Sequence, residues 1–226
     1  VAVSNIAEVV LVGHATENDD YCFALRGTKV RKMHTSRRDT FRPVNSHALA
    51  KVWPDRIEIL DEYNPRRDNF FSTQLDSKKN NKILNDFSNK VALIKFYPGA
   101  SPEILDYYTN NGYKGIVVEA SGLGHVLTEG KNNWLPKLKK IISKGIIVCF
   151  APQTIYGKLD PLVYSAGREI EKTGAIFLKD ILPETAFVKL SWVLGNSSLK
   201  KNTRENLLKN FAGEFNDSIS SDEFLN

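Results

Sequence analysis

The sequence is poor in the residues that build covalent or metal-held scaffolds: 226 residues contain two cysteines, four histidines and one methionine. Cys22 and Cys149 have no paired spacing, which excludes a disulfide framework and a structural zinc site. Each sits in an apolar run, Tyr21-Cys22-Phe23 or Val148-Cys149-Phe150, where a small buried thiol is the simplest reading. His14, His34, His47 and His125 show no metal-ligand spacing. No apolar run approaches the ~18 residues that would cross a bilayer. Val1-Ala2-Val3-Ser4-Asn5 has neither the basic nor the apolar region of a secretory signal, so a cytoplasmic protein with no membrane contact is expected. Gly122-Leu123-Gly124 lacks a third glycine, and no helix opens until about Trp134, so a dinucleotide fingerprint is rejected. A Walker lysine loop, a nucleophile elbow and a zinc-protease helix are likewise missing.

Hydrophobic residues at 42% and charged residues at 25% are ordinary for a globular chain and too apolar for wholesale disorder. The length fits one large domain or two modest ones. A net charge of +5 permits a nucleic-acid partner without demanding one. Ala7-Glu8-Val9-Val10-Leu11-Val12 predicts a buried strand at the very start of the chain. Such a strand needs neighbours, so the chain is expected to be the latter part of a longer protein. Residues 53–90 are turn-rich and charged (Trp53-Pro54, Asn64-Pro65-Arg66-Arg67-Asp68, Ser77-Lys78-Lys79-Asn80-Asn81), with Arg56-Ile57-Glu58-Ile59-Leu60 as one short strand.

From residue 90 the pattern is regular. Apolar runs at 91–97, 115–120, 146–150 and 175–178 predict strands whose starts lie about 24–31 residues apart, the repeat of a parallel sheet. Ser101-Pro102-Glu103 predicts a helix opening. Trp134, Leu135, Leu138, Ile141 and Ile142 share one helix face. Further helices are expected near 161–172, from Pro183-Glu184, and near 199–211, and a doubly wound α/β domain for 90–195.

Two places could carry chemistry. The carboxyl ends of the parallel strands hold Ser121-Gly122-Leu123-Gly124-His125 and Gln153-Thr154-Ile155-Tyr156-Gly157, which suit polar recognition or simply turn the chain. The segment from Arg31 to Arg42 carries five cations (Arg31, Lys32, Arg37, Arg38, Arg42) against one anion, Asp39. It reads as a solvated loop, as a phosphate-contacting patch, or as the seat of a catalytic lysine. In the last reading neighbouring cations disfavour the ammonium form of Lys32 and fit it to move a proton.

The run Arg31-Lys32-Met33-His34-Thr35-Ser36-Arg37-Arg38-Asp39-Thr40-Phe41, followed by Val44-Asn45-Ser46, resembles the lysine segment of the L-asparaginase family. The version here is most similar to the D subunits of archaeal glutamyl-tRNA(Gln) amidotransferases. Ser121-Gly122-Leu123-Gly124-His125-Val126, Gln153 with Tyr156-Gly157, Val163-Tyr164-Ser165 with Gly167-Arg168-Glu169, and Leu182-Pro183-Glu184-Thr185-Ala186 extend the likeness over about residues 8–195. The resemblance implies an asparaginase-like α/β fold: 1–60 as the end of a larger catalytic domain, 61–90 as linker, 91–195 as a smaller doubly wound parallel-sheet domain, and 196–226 as a C-terminal helix and tail. It implies side-chain amide hydrolysis by a threonine nucleophile, with a second threonine and an aspartate working with a lysine. Only the lysine has a counterpart here, Lys32, and the chain alone is expected to be inactive.

In such proteins, ammonia from glutamine or asparagine passes to a partner, the E subunit. That partner uses ATP and magnesium to amidate Glu-tRNA(Gln), so this chain is expected to bind no cofactor itself. A homodimer through the asparaginase-like domains is also implied. There Tyr164, Ser165, Gly167 or Glu169 could help complete a neighbouring site, or simply pack. A free-standing cytosolic L-asparaginase and a basic RNA-binding α/β module are the alternatives.

Overall fold

The chain changes character near residue 84, from short half-buried strands to fully buried ones. The computed structural model describes residues 1–66, 84–221 and 224. Arg67-Asp68 and the turn predicted at 77–81 lie outside the described residues. Two units are distinguished, Val1–Ile83 with Ser218–Asn226, and Leu84–Asp217.

The first unit holds β1 (Val10–His14), β2 (Cys22–Arg26), β3 (Val30–Lys32), β4 (Phe41–Pro43), β5 (Ala50–Val52) and β6 (Ile57–Ile59). A four-stranded sheet runs in the order β1-β2-β5-β6, antiparallel throughout, and β3 and β4 form a separate hairpin. Its core is small: Ile6, Ala24, Leu49 and Ala50, with Val10, Val52, Ile57 and Tyr63 against them. The buried strand predicted at 7–12 begins later, at Val10, and lies at the sheet edge. Val12 on this edge strand is 47% exposed, and Val9, which lies just before the strand, is 87% exposed. Ion pairing supplements the small core. Arg26 grips Glu8 through Nε at 2.6 Å, and Glu8 also accepts from the Asn64 backbone N–H at 2.8 Å. Burial would raise the Glu8 carboxyl, but the Arg26 guanidinium and the Asn64 hydrogen bonds together outweigh it and hold the group below its ordinary range.

The second unit holds β7 (Val91–Lys95), α1 (Ile104–Asn110), β8 (Gly115–Ala120), α2 (Leu135–Ser143), β9 (Ile147–Pro152), α3 (Ser165–Glu171), β10 (Ile176–Phe177), α4 (Pro183–Gly195), α5 (Ser197–Lys200) and α6 (Thr203–Leu208). The strands are parallel, in the order β10-β9-β8-β7. Successive residues point to opposite faces, so a strand covered on both sides reads as an unbroken apolar run. Ile116, Val118, Val148 and Phe150 pack with Leu105 of α1, Leu138 and Ile141 of α2, and Ile170 of α3. Val117, Cys149, Ala151 and Ile176 pack with Ala186, Leu190 and Val193 of α4, and with Leu207 and Phe215. Helices therefore cover both faces, as the α/β reading expects. The strand order advances one way without reversal: α1, α2 and α3 cover one face and α4 the other. Trp134 is fully buried and donates its indole N–H to the Ala100 carbonyl at 3.1 Å. Burial pushes the Cys149 thiol up to about 12, which makes it inert packing.

The helix predicted to open at Ser101 begins at Ile104. Ser101 Oγ accepts from the Glu103 N–H at 3.3 Å within a preceding turn. The polar helix predicted at 199–211 is two short helices, α5 and α6. The chain after them is held by Lys189 of α4, whose ammonium reaches Glu214 Oε1 and the Lys209 carbonyl, both at 2.5 Å. Among the described residues no helix is long and apolar enough to cross a membrane.

Candidate active-site hairpin

Lys32 ends β3, opposite Phe41 of β4, and its side chain is exposed. The seven-residue advance from Met33 to Thr40 is closed by short-range bonds. The Met33 N–H donates to the Thr40 carbonyl at 2.8 Å, and Thr40 Oγ1 accepts from the His34 N–H at 2.9 Å while donating to the His34 carbonyl. His34 Nδ1 accepts from the backbone N–H groups of Ser36 and Arg37, each at 3.1 Å, which leaves the ring proton on Nε2. The His34 ring thus organises this turn.

Asp39 lies at the centre of the loop, its side chain 4% exposed. Arg37 binds it with both arms of its guanidinium, Nε to Oδ1 at 2.9 Å and Nη2 to Oδ2 at 3.0 Å. Arg42 adds Nη2 to Oδ2 at 2.5 Å and turns Nη1 to the Ala15 carbonyl at 3.2 Å. The Arg37 hydrogen bonds, with the charges of Arg37 and Arg42, lower the Asp39 carboxyl from 3.8 to about 2 against its desolvation. Arg38 pairs with Asp19, and Arg37 also lies 3.6 Å from Glu17. The basic segment is thus folded against its own acids.

This arrangement revises one expectation. Arg37 and Arg38, offered as cations acting on Lys32, are each committed to a carboxylate. Lys32 itself has no hydrogen-bond or carboxylate partner among the described residues. With Met33, His34 and Thr35 it lines a shallow hollow of about 250 Å³. Sequence reasoning singled out Lys32 but missed Asp39, Thr40, Arg42 and the acidic stretch 17–20 as its frame. The one available signal was a lone acid among five cations.

The strand ends of the second unit are mainly structural. Ser121 and His125 close a turn by reciprocal backbone bonds of 3.1 and 2.8 Å, with Ser121 Oγ donating to the His125 carbonyl. Gly124 has φ +109°, and a Cβ there would lie 2.6 Å from Phe177 Cε1. Gln153 spends its amide on the Phe96 carbonyl at 2.5 Å. A Cβ on Gly167 would meet the Pro161 carbonyl at 2.5 Å, and Glu169 pairs with Lys172. Tyr164 is exposed, with its ring edge-on to His125. Among the described residues no cluster of three His, Cys, Asp or Glu side chains is placed to hold a metal ion.

The family description "Asparaginase, N-terminal" matches residues 1–65, and "Glutaminase/Asparaginase C-terminal domain" matches residues 90–207. The glutamyl-tRNA(Gln) amidotransferase D subunit of Thermococcus kodakarensis is 46% identical over 226 residues, covering 99% of this chain and 48% of the relative. The protein of the same name from Pyrococcus abyssi is 45% identical over the same shares. That from Methanosarcina mazei is 44% identical over 219 residues, covering 96% of this chain and 48% of the relative. The chain thus spans about half the length of the curated relatives it matches. Among solved structures, the thermostable L-asparaginase from Thermococcus kodakarensis superimposes with a TM-score of 0.72 at 25% identity, over 87% of this chain and 56% of that one. L-asparaginase I from Vibrio cholerae shares the fold, with a TM-score of 0.70 at 21% identity, over 86% of this chain and 55% of that one. On both matched descriptions and on identity across nearly its whole length, this chain belongs to the glutaminase/asparaginase family.

Proposed function

We propose that this chain is part of the amidase subunit of a tRNA-dependent amidotransferase, with Lys32 relaying the proton in amide hydrolysis. The carrying observation is 41–46% identity to amidotransferase D subunits across 95–100% of the chain. The hairpin geometry supports it, since Arg37, Arg38 and Arg42 are tied to carboxylates while the Lys32 amine projects unpaired among the described residues.

Hydrolysis of a glutamine or asparagine side-chain amide is acyl transfer. A threonine hydroxyl must lose its proton to attack the amide carbon, and a relay through a second hydroxyl to a neutral amine supplies that. The same proton then goes to the departing nitrogen, ammonia leaves, and water hydrolyses the ester. The threonines and the aspartate of this scheme belong to the part of the relatives' length that this chain does not span, so the chain by itself is inactive in this reading. Ammonia passes to a partner, the E subunit, which uses ATP and magnesium to convert Glu-tRNA(Gln) to Gln-tRNA(Gln) in the cytoplasm. The tRNA contacts lie mainly on that partner, and the D subunits pair as a homodimer.

The test is Lys32→Ala in the full-length protein with its partner. Ammonia release from glutamine is expected to fall by about 10³-fold or more, with complex formation unchanged on size-exclusion chromatography. Near wild-type turnover would remove Lys32 from the mechanism. A free-standing L-asparaginase is the second reading, favoured by the superposition on L-asparaginases. Asparagine hydrolysis indifferent to the partner and to charged tRNA would select it. An RNA-binding module is disfavoured because Arg26, Arg37, Arg38 and Arg42 are paired with acids.

A further inference from the structure

We propose that Asp39 is the positioning residue for Lys32: through Arg37 and Arg42 it ties the loop that follows Lys32 to β4, the strand paired with the lysine's own, so that the lysine amine is presented from a fixed base. The proposal rests on the amidase reading of Lys32.

Three features of the clamp support it. First, it ties the loop to the strand that pairs with Lys32. Arg37 comes from the loop and Arg42 from β4, next to Phe41, the residue paired with Lys32 across the ladder. Second, it is anchored outside the hairpin. The free arm of Arg42 donates to Ala15, immediately after β1, and Arg38 pairs with Asp19 beyond it. The hairpin has only three residues in each strand, too few to fix its own position in water. Third, the network omits Lys32. A carboxylate accepting from two guanidiniums fixes their orientation through paired, near-planar contacts, whereas an ammonium drawn into the same cluster would lose its freedom to exchange protons. Asp39 thus binds two cations of the segment, Arg37 and Arg42, and leaves the Lys32 amine unbound.

Without the carboxylate, Arg37 and Arg42 become two like charges facing one site. The wall formed by Met33, His34 and Thr35 keeps its Thr40 bonds but loses the side-chain anchor at Arg37, where the turn around His34 ends. A displacement of about 1 Å at a proton-transferring group can cost ~100-fold in rate. Substrate binding, which does not pass through this cluster, is left alone.

The experiment measures glutamine hydrolysis by the full-length protein with its partner, comparing wild type with Asp39→Asn, Asp39→Glu, Lys32→Ala and the Lys32→Ala/Asp39→Asn double variant. Asp39→Asn is expected to lower kcat by ~10- to 100-fold with KM within about twofold. Asp39→Glu is expected to recover part of that loss. The double variant is expected to be no slower than Lys32→Ala, since positioning a lysine that is gone contributes nothing. A purely structural role would instead slow the double variant further and move KM with kcat. Wild-type kcat in Asp39→Asn, or additive losses in the double variant, overturns the proposal. Lys32→Ala read alongside separates the two claims: full turnover there removes the amidase role of Lys32, whereas loss there with undiminished kcat in Asp39→Asn overturns only the positioning role. If Asp39→Asn shows no cooperative unfolding transition, Arg37→Gln severs one arm and keeps the Arg42 contact. It should lower kcat roughly three- to tenfold at unchanged KM, and wild-type kcat there overturns the proposal equally.

Discussion

The two units solve the same problem, holding a set of strands in place, by opposite means. The Leu84–Asp217 unit buries apolar side chains on both faces of its parallel sheet, and its one deeply buried ion pair among the described residues, Lys189 with Glu214, holds the chain that follows the last helix. Among the described residues, the main apolar cluster of the Val1–Ile83 unit is small, and its loops are held by charge: Glu8 with Arg26, Asp39 with Arg37 and Arg42, Asp19 with Arg38. Apolar packing fixes a fold but offers few reactive groups. Paired charges can fix a loop while sparing one selected side chain. The candidate chemistry lies in the charged unit.

The comparison can be broken first where packing is densest. Trp134→Ala removes a fully buried indole, its hydrogen bond to Ala100 and its edge-on contact with Phe96. It should cost about 3–5 kcal/mol in urea unfolding followed by circular dichroism. A loss below about 1 kcal/mol would mean that the apolar unit does not depend on this core. In the charged unit the lever is pH. An unfolded aspartate titrates near ~3.9, whereas the Asp39 carboxyl is held at about 2. Its ionised form favours the folded loop fully above pH ~4, and that contribution is lost as pH falls through about 2. Amide exchange in residues 33–40 should therefore accelerate over that window, and Asp39→Asn should abolish the step. The smallest effect belongs to the exposed edge. Val9→Lys in this 226-residue chain should change stability by less than about 0.5 kcal/mol in the same unfolding assay. A larger loss would show that the edge is covered.

Legibility in the sequence follows the same division. The parallel strands were readable because burial on two faces writes continuous apolar runs, as in Gly115-Ile116-Val117-Val118 and Ile147-Val148-Cys149-Phe150. The face of α2 was readable from Trp134, Leu138 and Ile141. Element ends were less so: Ser101 caps a turn, and the helix waits until Ile104, because a proline and its neighbours satisfy the same local signals. The first strand misled because Val9 and Val12 look like core, yet Val9 precedes the strand and Val12 sits on a sheet edge. Lys32 was reached through family resemblance, since no periodicity marks a reactive lysine. Apart from the lone acid Asp39, its frame was invisible, because Arg38 meets Asp19 and Arg42 meets Ala15 across 19 and 27 residues. A one-dimensional count of charges records those cations as an excess, whereas in space they are cancelled.

The one-way strand order has a consequence for biogenesis. As the polypeptide leaves the ribosome, β8 finds β7 already made, β9 finds β8, and β10 finds β9, so each addition needs only its immediate predecessor. Val117, Cys149 and Ala151 nevertheless stay wet until Pro183–Gly195 has been synthesised, because α4 is what covers them. The newborn half-sheet therefore shows a greasy underside for about forty residues of translation after β9, a period of about 2–9 s at ~5–20 residues per second. Chaperone capture, if this chain needs it, belongs in that interval.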